Sequence, residues 1–255
     1  MNQRRKRREF FFAEHPNCCY CGGAQKANTE DHQPGRVFFK GRQWPEDFVF
    51  PACTSCNEIS RTAENVVAML IHGESESDDR DGYSKLVRSI RAQFPELVTS
   101  MLPTSNNEIR RMLRYANLPR PRGTTLSEVP VVKLDRELWE PHLTLFARKI
   151  LLSLHYQCFG KPLSKGGRLC YSFHTNADFM ANQEPAELIK LASNVVLPAR
   201  QRTTLHDQFA VRWNVVPEKD TALFVAKFHK MIVLSGITTE HPSEFKGDDV
   251  WFPPF

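Results

Sequence analysis

The sequence predicts an α+β chain: a small metal-stapled unit at the N-terminal end, a mostly helical region, then a C-terminal β-hairpin or small sheet. Three observations carry this expectation. Two Cys-x-x-Cys pairs lie within residues 18–56; apolar residues recur at helical spacing through 54–71, 83–102, 106–115 and 135–159; and residues 208–216 and 222–237 alternate apolar and polar. With 255 residues, 41% hydrophobic and 25% charged, the chain has the composition of an ordinary globular protein and enough length for a sizeable core. Three segments are expected: a metal-stapled domain at 1–75, a helical connector at 76–130 and an α+β domain of unassigned role at 131–255.

The first element is the pair of cysteine knuckles. Cys18 and Cys21 are separated by two residues, as are Cys53 and Cys56. That spacing lets both thiolates of a pair point inward from one turn, and two such turns make a tetrahedral, closed zinc site. Cys18 is preferred to Cys19 as first ligand, because Cys19 leaves a single-residue spacer to Cys21. Gly22 and Gly23 suit the tight turn after the first pair. The remaining thiols, Cys19, Cys158 and Cys170, read as small buried hydrophobes. An odd cysteine count with four thiols in metal spacing argues against disulfides and for a cytoplasmic protein. The start, MNQRRKRREFFFAEHPN, has too short an apolar stretch for a signal peptide, and no run approaches the roughly 20 apolar residues of a membrane span.

Around the knuckles, NTEDH reads as the end of one strand and FVFPA as another. Thr54–Ile71 reads as one helix with Ile59, Val66, Val67, Leu70 and Ile71 on a shared face, and Gly73 stops it. GESESDDRDG at 73–82 reads as a polar loop or hinge. Two helices follow, split by Pro103, Thr104 and Ser105, with Ser105 or Asn106 as N-cap. Proline-rich 117–130 reads as an extended linker, and Arg110, Arg111, Arg114, Arg120 and Arg122 form a basic patch. Asp135–Phe159 is the strongest helical pattern, with Leu138, His142, Leu145, Lys149, Leu152 and Tyr156 in one row; His142 and His155 are taken as core residues. Glu184–Val195 reads as a short helix with Pro185 near its first turn. Pro217–Asp220 joins the last two alternating segments into a hairpin. GKPLSKGG at 160–167 lacks the phosphate-loop pattern and reads as a plain loop, and the tail WFPPF as a packed or protein-bound end.

Charge bears on partners. The net +5 is mild, but Arg4, Arg5, Lys6, Arg7 and Arg8 cluster, and Arg36, Lys40 and Arg42 fall inside the cysteine-rich region. Such clusters neutralise phosphates by releasing counterions; the N-terminal run reads equally as a solvated, disordered end.

A zinc staple does not need Asp31, His32 or Asn57. A carboxylate, an imidazole and an amide oxygen brought together suit a hard divalent ion and a water to be deprotonated. The order C-x2-C, then DH-x-P-G, then P-A-C-x2-C-N resembles the zinc-stapled HNH endonucleases over about residues 15–72. The resemblance implies a ββα-metal unit and a metal-dependent endonuclease, with DNA the expected substrate. It further implies His32 as general base, Asp31 and Asn57 as ligands of a catalytic Mg2+ or Mn2+, and structural Zn2+ at the four cysteines. Arg61, one turn after Asn57, together with Arg36 and Lys40, is expected to contact substrate phosphates. Glu64 ranks low as a metal ligand. The stretch PEDFVFPAC lacks the Asn that many members carry before the second knuckle, leaving Asp47 or a backbone carbonyl to orient the base. The alternatives are a catalytically silent zinc module binding DNA or a protein, and a regulated nuclease effector or toxin in phage defence. A protein partner or homo-oligomer is compatible with either, and no membrane association is expected.

Overall fold

The cysteine-rich region folds as a short hairpin followed by helix. In the computed structural model, β1 (Thr29–His32) pairs antiparallel with β2 (Val49–Ala52), with Asp31 opposite Phe50 and His32 opposite Val49. The structure describes residues 3–73, 80–119, 123, 125–128, 131–181, 185–245 and 250–255. Ahead of the hairpin the basic run forms a helix, α1 (Gln3–Glu14), not a disordered end, and it buries no residue. After β2 the single helix expected for 54–71 is two: α2 (Thr54–Ile59) and α3 (Arg61–His72), meeting at Ser60. The break turns Ile59 out to solvent, 54% exposed, while Val66, Val67, Leu70 and Ile71 enter the core. Ser60 is itself buried and donates to Glu64 Oε1 at 3.3 Å, so the bend keeps its hydroxyl satisfied.

The middle region is helical as expected, with a break at Phe94. It comprises α4 (Arg80–Gln93), α5 (Pro95–Ser100) and α6 (Asn106–Tyr115), the last capped by the Ser105 hydroxyl, which accepts from the Glu108 amide at 3.2 Å. Most of the loop expected at 73–82, and Arg120, Arg122 and Glu184, lie outside the described residues. The long helix α7 (Arg136–Phe159) starts on the Asp135 side-chain cap and ends on Gly160 at φ 67°, a conformation that glycine adopts without strain.

The last third holds more strand than the alternation suggests. A five-stranded antiparallel sheet has the order β3 (Arg168–Thr175), β9 (Ile232–Thr239), β8 (Thr221–Phe228), β7 (Phe209–Val216), β4 (Asn194–Val196). The segment 222–237 is thus two strands rather than one, folded at His229, whose φ of 50° makes the turn. Two short helices, α8 (Asn176–Met180) and α9 (Ala186–Leu191), precede β4. A two-residue hairpin, β5 (Ala199–Arg200) with β6 (Thr203–Thr204), precedes β7. The WFPPF tail is packed: Phe252 bridges Leu169, and the Phe255 amide donates to the Tyr20 carbonyl at 2.8 Å.

One apolar core runs through all three expected segments. Phe38 of the cysteine-rich region packs against Phe146 of α7 at 5.1 Å and Phe228 of β8 at 5.9 Å, in both cases with tilted rings. Phe48, Phe209 and Phe228 continue the chain of rings. Such burial removes a large aromatic area from water at each contact and ties the small unit to the sheet. Among the described residues no helix is long and apolar enough to cross a membrane.

His155 on α7 is fully buried; its Nδ1 faces Thr238 Oγ1 at 2.9 Å, and Nε2 has no partner among the described residues. Burial pushes the ring down to about 4 from its ordinary 6.5; Asp220 opposes this and Lys161 adds to it. The unfolded chain therefore takes up this proton first as pH falls. The stability due to a neutral His155 is full above pH 6.5 and is lost as pH drops toward 4, on the order of 3 kcal/mol. His155→Gln should flatten the slope of unfolding free energy against pH in that window, measured by urea denaturation.

Candidate functional site

The four cysteines of the two knuckles meet. The sulfurs of Cys18, Cys21, Cys53 and Cys56 all lie within 4.8 Å of one another and are buried. In a tetrahedral thiolate site with Zn–S bonds of ~2.3 Å, sulfurs sit ~3.8 Å apart, so this cluster can hold a metal ion such as zinc. The hydrogen bond from Cys56 is the main reason the Cys18 thiol is held at about 5, and the same bond raises Cys56. The turn after the first pair uses Gly22 at φ 62° and Gly23 at φ 74°. A Cβ on Gly22 also meets the Lys165 backbone nitrogen at 2.9 Å, so the knuckle is packed directly on the loop after α7. Cys19 is fully buried, as expected of a small hydrophobe, whereas Cys158 and Cys170 are only half-buried.

A strand's side chains alternate between faces, and β1 divides the predicted site accordingly. Asp31 faces the interior and is 8% exposed. Its Oδ2 takes three donors: the Tyr20 hydroxyl at 2.7 Å, Gln33 Nε2 at 3.2 Å and Lys149 Nζ at 2.9 Å. Lys149, 1% exposed, also donates to Glu64 Oε1 at 2.8 Å, and Gln33 bridges to the same oxygen at 2.8 Å. One ammonium thus serves two carboxylates. Burial alone would lower the lysine, but the attraction of Glu64 and Asp31 outweighs it and holds Lys149 above its ordinary value. Glu64 is raised, first by burial and then by the nearby Asp31 charge, although Lys149 opposes this.

His32 faces the other way, into a groove of about 990 Å³. Six arginines line it, Arg4, Arg5, Arg7, Arg8, Arg36 and Arg200, against three carboxylates, Glu30, Glu46 and Asp47, so the groove is cationic. Arg36 donates to His32 Nε2 at 2.9 Å. Arginine carries only donors, so Nε2 is the acceptor and the neutral ring holds its proton on Nδ1. That Nδ1 is buried and has no partner among the described residues. Burial, and next the Arg36 charge, hold His32 below its ordinary value of 6.5, so the ring is neutral at pH 7. Its face packs on Trp44 with ring centres 4.9 Å apart.

The other predicted residues are dispersed. Asn57 is half-buried and does not itself line the groove, although its side-chain amide donates at 3.4 Å to Oγ1 of Thr29, which does. Arg61 is exposed and also lies outside that lining. Lys40 lines a separate cavity with His72 and Tyr83, and its backbone amide donates to Gln208 Oε1 at 2.8 Å. Of Arg36, Lys40 and Arg61 only Arg36 stands beside His32, while Arg4, Arg5, Arg7 and Arg8 of the N-terminal basic run line the same groove. Sequence reasoning missed Trp44 and Arg200, which come from a loop and from the last third of the chain. It also missed Lys149 as a partner of Asp31, although a lysine within an apolar helical row was a visible signal. Comparison with models of protein families, with curated proteins and with solved structures returns no match.

Two outcomes follow from this geometry. The purified chain should carry one zinc by elemental analysis, and Cys56→Ser should lose both the metal and most of the fold's stability. Lys149→Ala strands two buried carboxylates and should cost about 3–5 kcal/mol in urea denaturation. Adding Asp31→Asn and Glu64→Gln to Lys149→Met should recover most of that loss.

Proposed function

We propose that the chain is an endonuclease of the HNH type that hydrolyses phosphodiester bonds of nucleic acid, DNA above all, and that zinc at the four cysteines shapes the unit without entering the reaction. The observation that carries this reading is His32: a neutral imidazole on the wall of a groove lined by six arginines, with its Nε2 lone pair held by one of them. A hairpin bearing the Asp-His pair, followed by a helix that starts at Thr54 within the second knuckle, supports the reading.

The chemistry follows from these residues. A phosphate entering the groove competes for Arg36, because a guanidinium binds an anion more strongly than a neutral nitrogen. As Arg36 turns to the phosphate, Nε2 is freed to take a proton from water. The water oxygen attacks phosphorus, the bond from phosphorus to the ester oxygen breaks and that oxygen takes a proton from solvent. His32 then returns its own proton to solvent, and the guanidiniums stabilise the charge that builds on the phosphoryl oxygens.

The resemblance also implies Mg2+ or Mn2+ bound by Asp31 and Asn57. The donor set as arranged does not fit that ion: Asp31 Oδ2 already accepts from Lys149, Tyr20 and Gln33, and Lys149 brings its own charge. No step above is therefore routed through a divalent ion. The same ion pair favours a second reading, a zinc module that binds nucleic acid without cutting it.

A plasmid-nicking assay separates the two. Wild type is expected to nick, and His32→Ala to lose roughly 10²-fold or more of the rate, the usual worth of a general base. Series with Mg2+, with Mn2+ and with no added divalent ion establish whether the reaction needs one. Binding without cleavage under every metal condition selects the silent module.

A further inference from the structure

The last third of the chain reaches the same groove, although nothing in its local sequence announces it. The Arg200 guanidinium carbon lies 3.9 Å from the centre of the Trp44 ring, and that of Arg36 lies 3.6 Å from it. Arg200 also donates to the Trp44 carbonyl at 3.2 Å, which uses one of its five N–H groups. Among the described residues neither guanidinium forms an ion pair with a carboxylate. Two positive groups are thus held on one indole with no anion between them.

The backbone keeps Arg200 there. Its hairpin turns through Gln201 at φ 47° and Arg202 at φ 66°, both in the left-handed region that side chains with a Cβ disfavour. Docking holds this turn in place: the Glu46 amide donates to the Ala199 carbonyl at 3.2 Å, the Leu205 amide donates to the Pro198 carbonyl at 2.8 Å, and Leu205 is buried.

We infer that Arg36, Trp44 and Arg200 form a clamp for the phosphate backbone of a polynucleotide strand, so that the substrate site is built by both ends of the chain. This rests on the reading of the groove as a nucleic-acid site and adds to it a residue from the region of unassigned role. A stacked guanidinium is a planar fork already oriented for two parallel bonds to phosphate oxygens, and the ring holds it at little entropic cost. Arg4 and Arg7 of α1 line the same groove and extend the cationic track beyond the clamp, which suits the repeating charge of a strand better than a single anion.

The test uses the full chain in buffer without divalent ions, with short labelled DNA and RNA strands of one sequence, read by fluorescence anisotropy over a salt series. Arg200→Ala should weaken binding roughly tenfold and make the log–log salt slope shallower by about one, the mark of a lost phosphate contact. Arg200→Lys should recover only part of the affinity, because lysine keeps the charge but not the stacked fork. Thermal melts monitor folding, and if the alanine variant is unfolded, the lysine variant carries the comparison. The effect in either the DNA or the RNA arm supports the clamp. Wild type that binds while Arg200→Ala keeps the same affinity and slope overturns the clamp and leaves the nuclease reading standing. Displacement of the strand by poly-glutamate at equal charge also overturns it, since the groove is then a general anion surface. Wild type that binds neither strand removes the nucleic-acid reading itself and the clamp with it.

Discussion

A single buried ammonium sets the relation between the two halves of this fold. Lys149 projects from the middle of α7 into a space closed on all sides, and there it meets Asp31 of β1 and Glu64 of α3. An unpaired ammonium at this depth would cost several kcal/mol, and so would either carboxylate alone. The three elements are therefore obliged to stay together. Tyr20 and Gln33 complete the arrangement by donating to the carboxylate oxygens, and Ser153 lies 3.3 Å from the Tyr20 hydroxyl. Every member comes from the cysteine-rich region or from α7, so the network joins those two parts of the chain specifically.

This anchoring has a consequence one residue away. With Asp31 fixed inward, the two-residue period of β1 leaves His32 no choice but the opposite face. That face opens on the arginine-lined groove, and Trp44 packs there against the ring at a tilt of 48°. The knuckles matter in the same way. They fix the chain just before β1 and just after β2, where the hairpin is too short to hold itself. Thiolate chemistry sets the ends of the hairpin, the buried ion pair sets its rotation, and together they aim one imidazole.

What could be read from the sequence divides along physical lines. The knuckles, the hairpin strands, the cap at Ser105 and the long helix are encoded by residues close in sequence, and their signals are local. The helix break at Ser60 escaped because helical spacing continues through it; only the burial of that serine against Glu64 distinguishes the two helices. The segment 222–237 looked like one strand because its alternation survives the His229 turn. The grouping of Asp31, His32 and Asn57 was inferred from motif order, and motif order does not carry side-chain direction. Asp31 turned to a lysine more than a hundred residues later, a partner that no local pattern specifies. The Arg36–Trp44–Arg200 stack escaped for the same reason: it depends on tertiary approach between distant loops.

The state of His32 is what supports the proposed reading of the groove as a site for an incoming anion. A histidine serving only structure would be expected to satisfy both ring nitrogens. Here the Nε2 lone pair is held by the Arg36 guanidinium, and the proton-bearing Nδ1 is buried with no acceptor among the described residues. Arg36 can leave Nε2 whenever a phosphate offers it better hydrogen bonds, whereas the Asp31–Lys149 pair cannot open without exposing a charge to the core. The rigid ion pair lies behind the strand and the labile contact lies in front of it. Under the proposed function, that division between a fixed anchor and an exchangeable partner holds the base in place and frees it when a phosphate fills the groove.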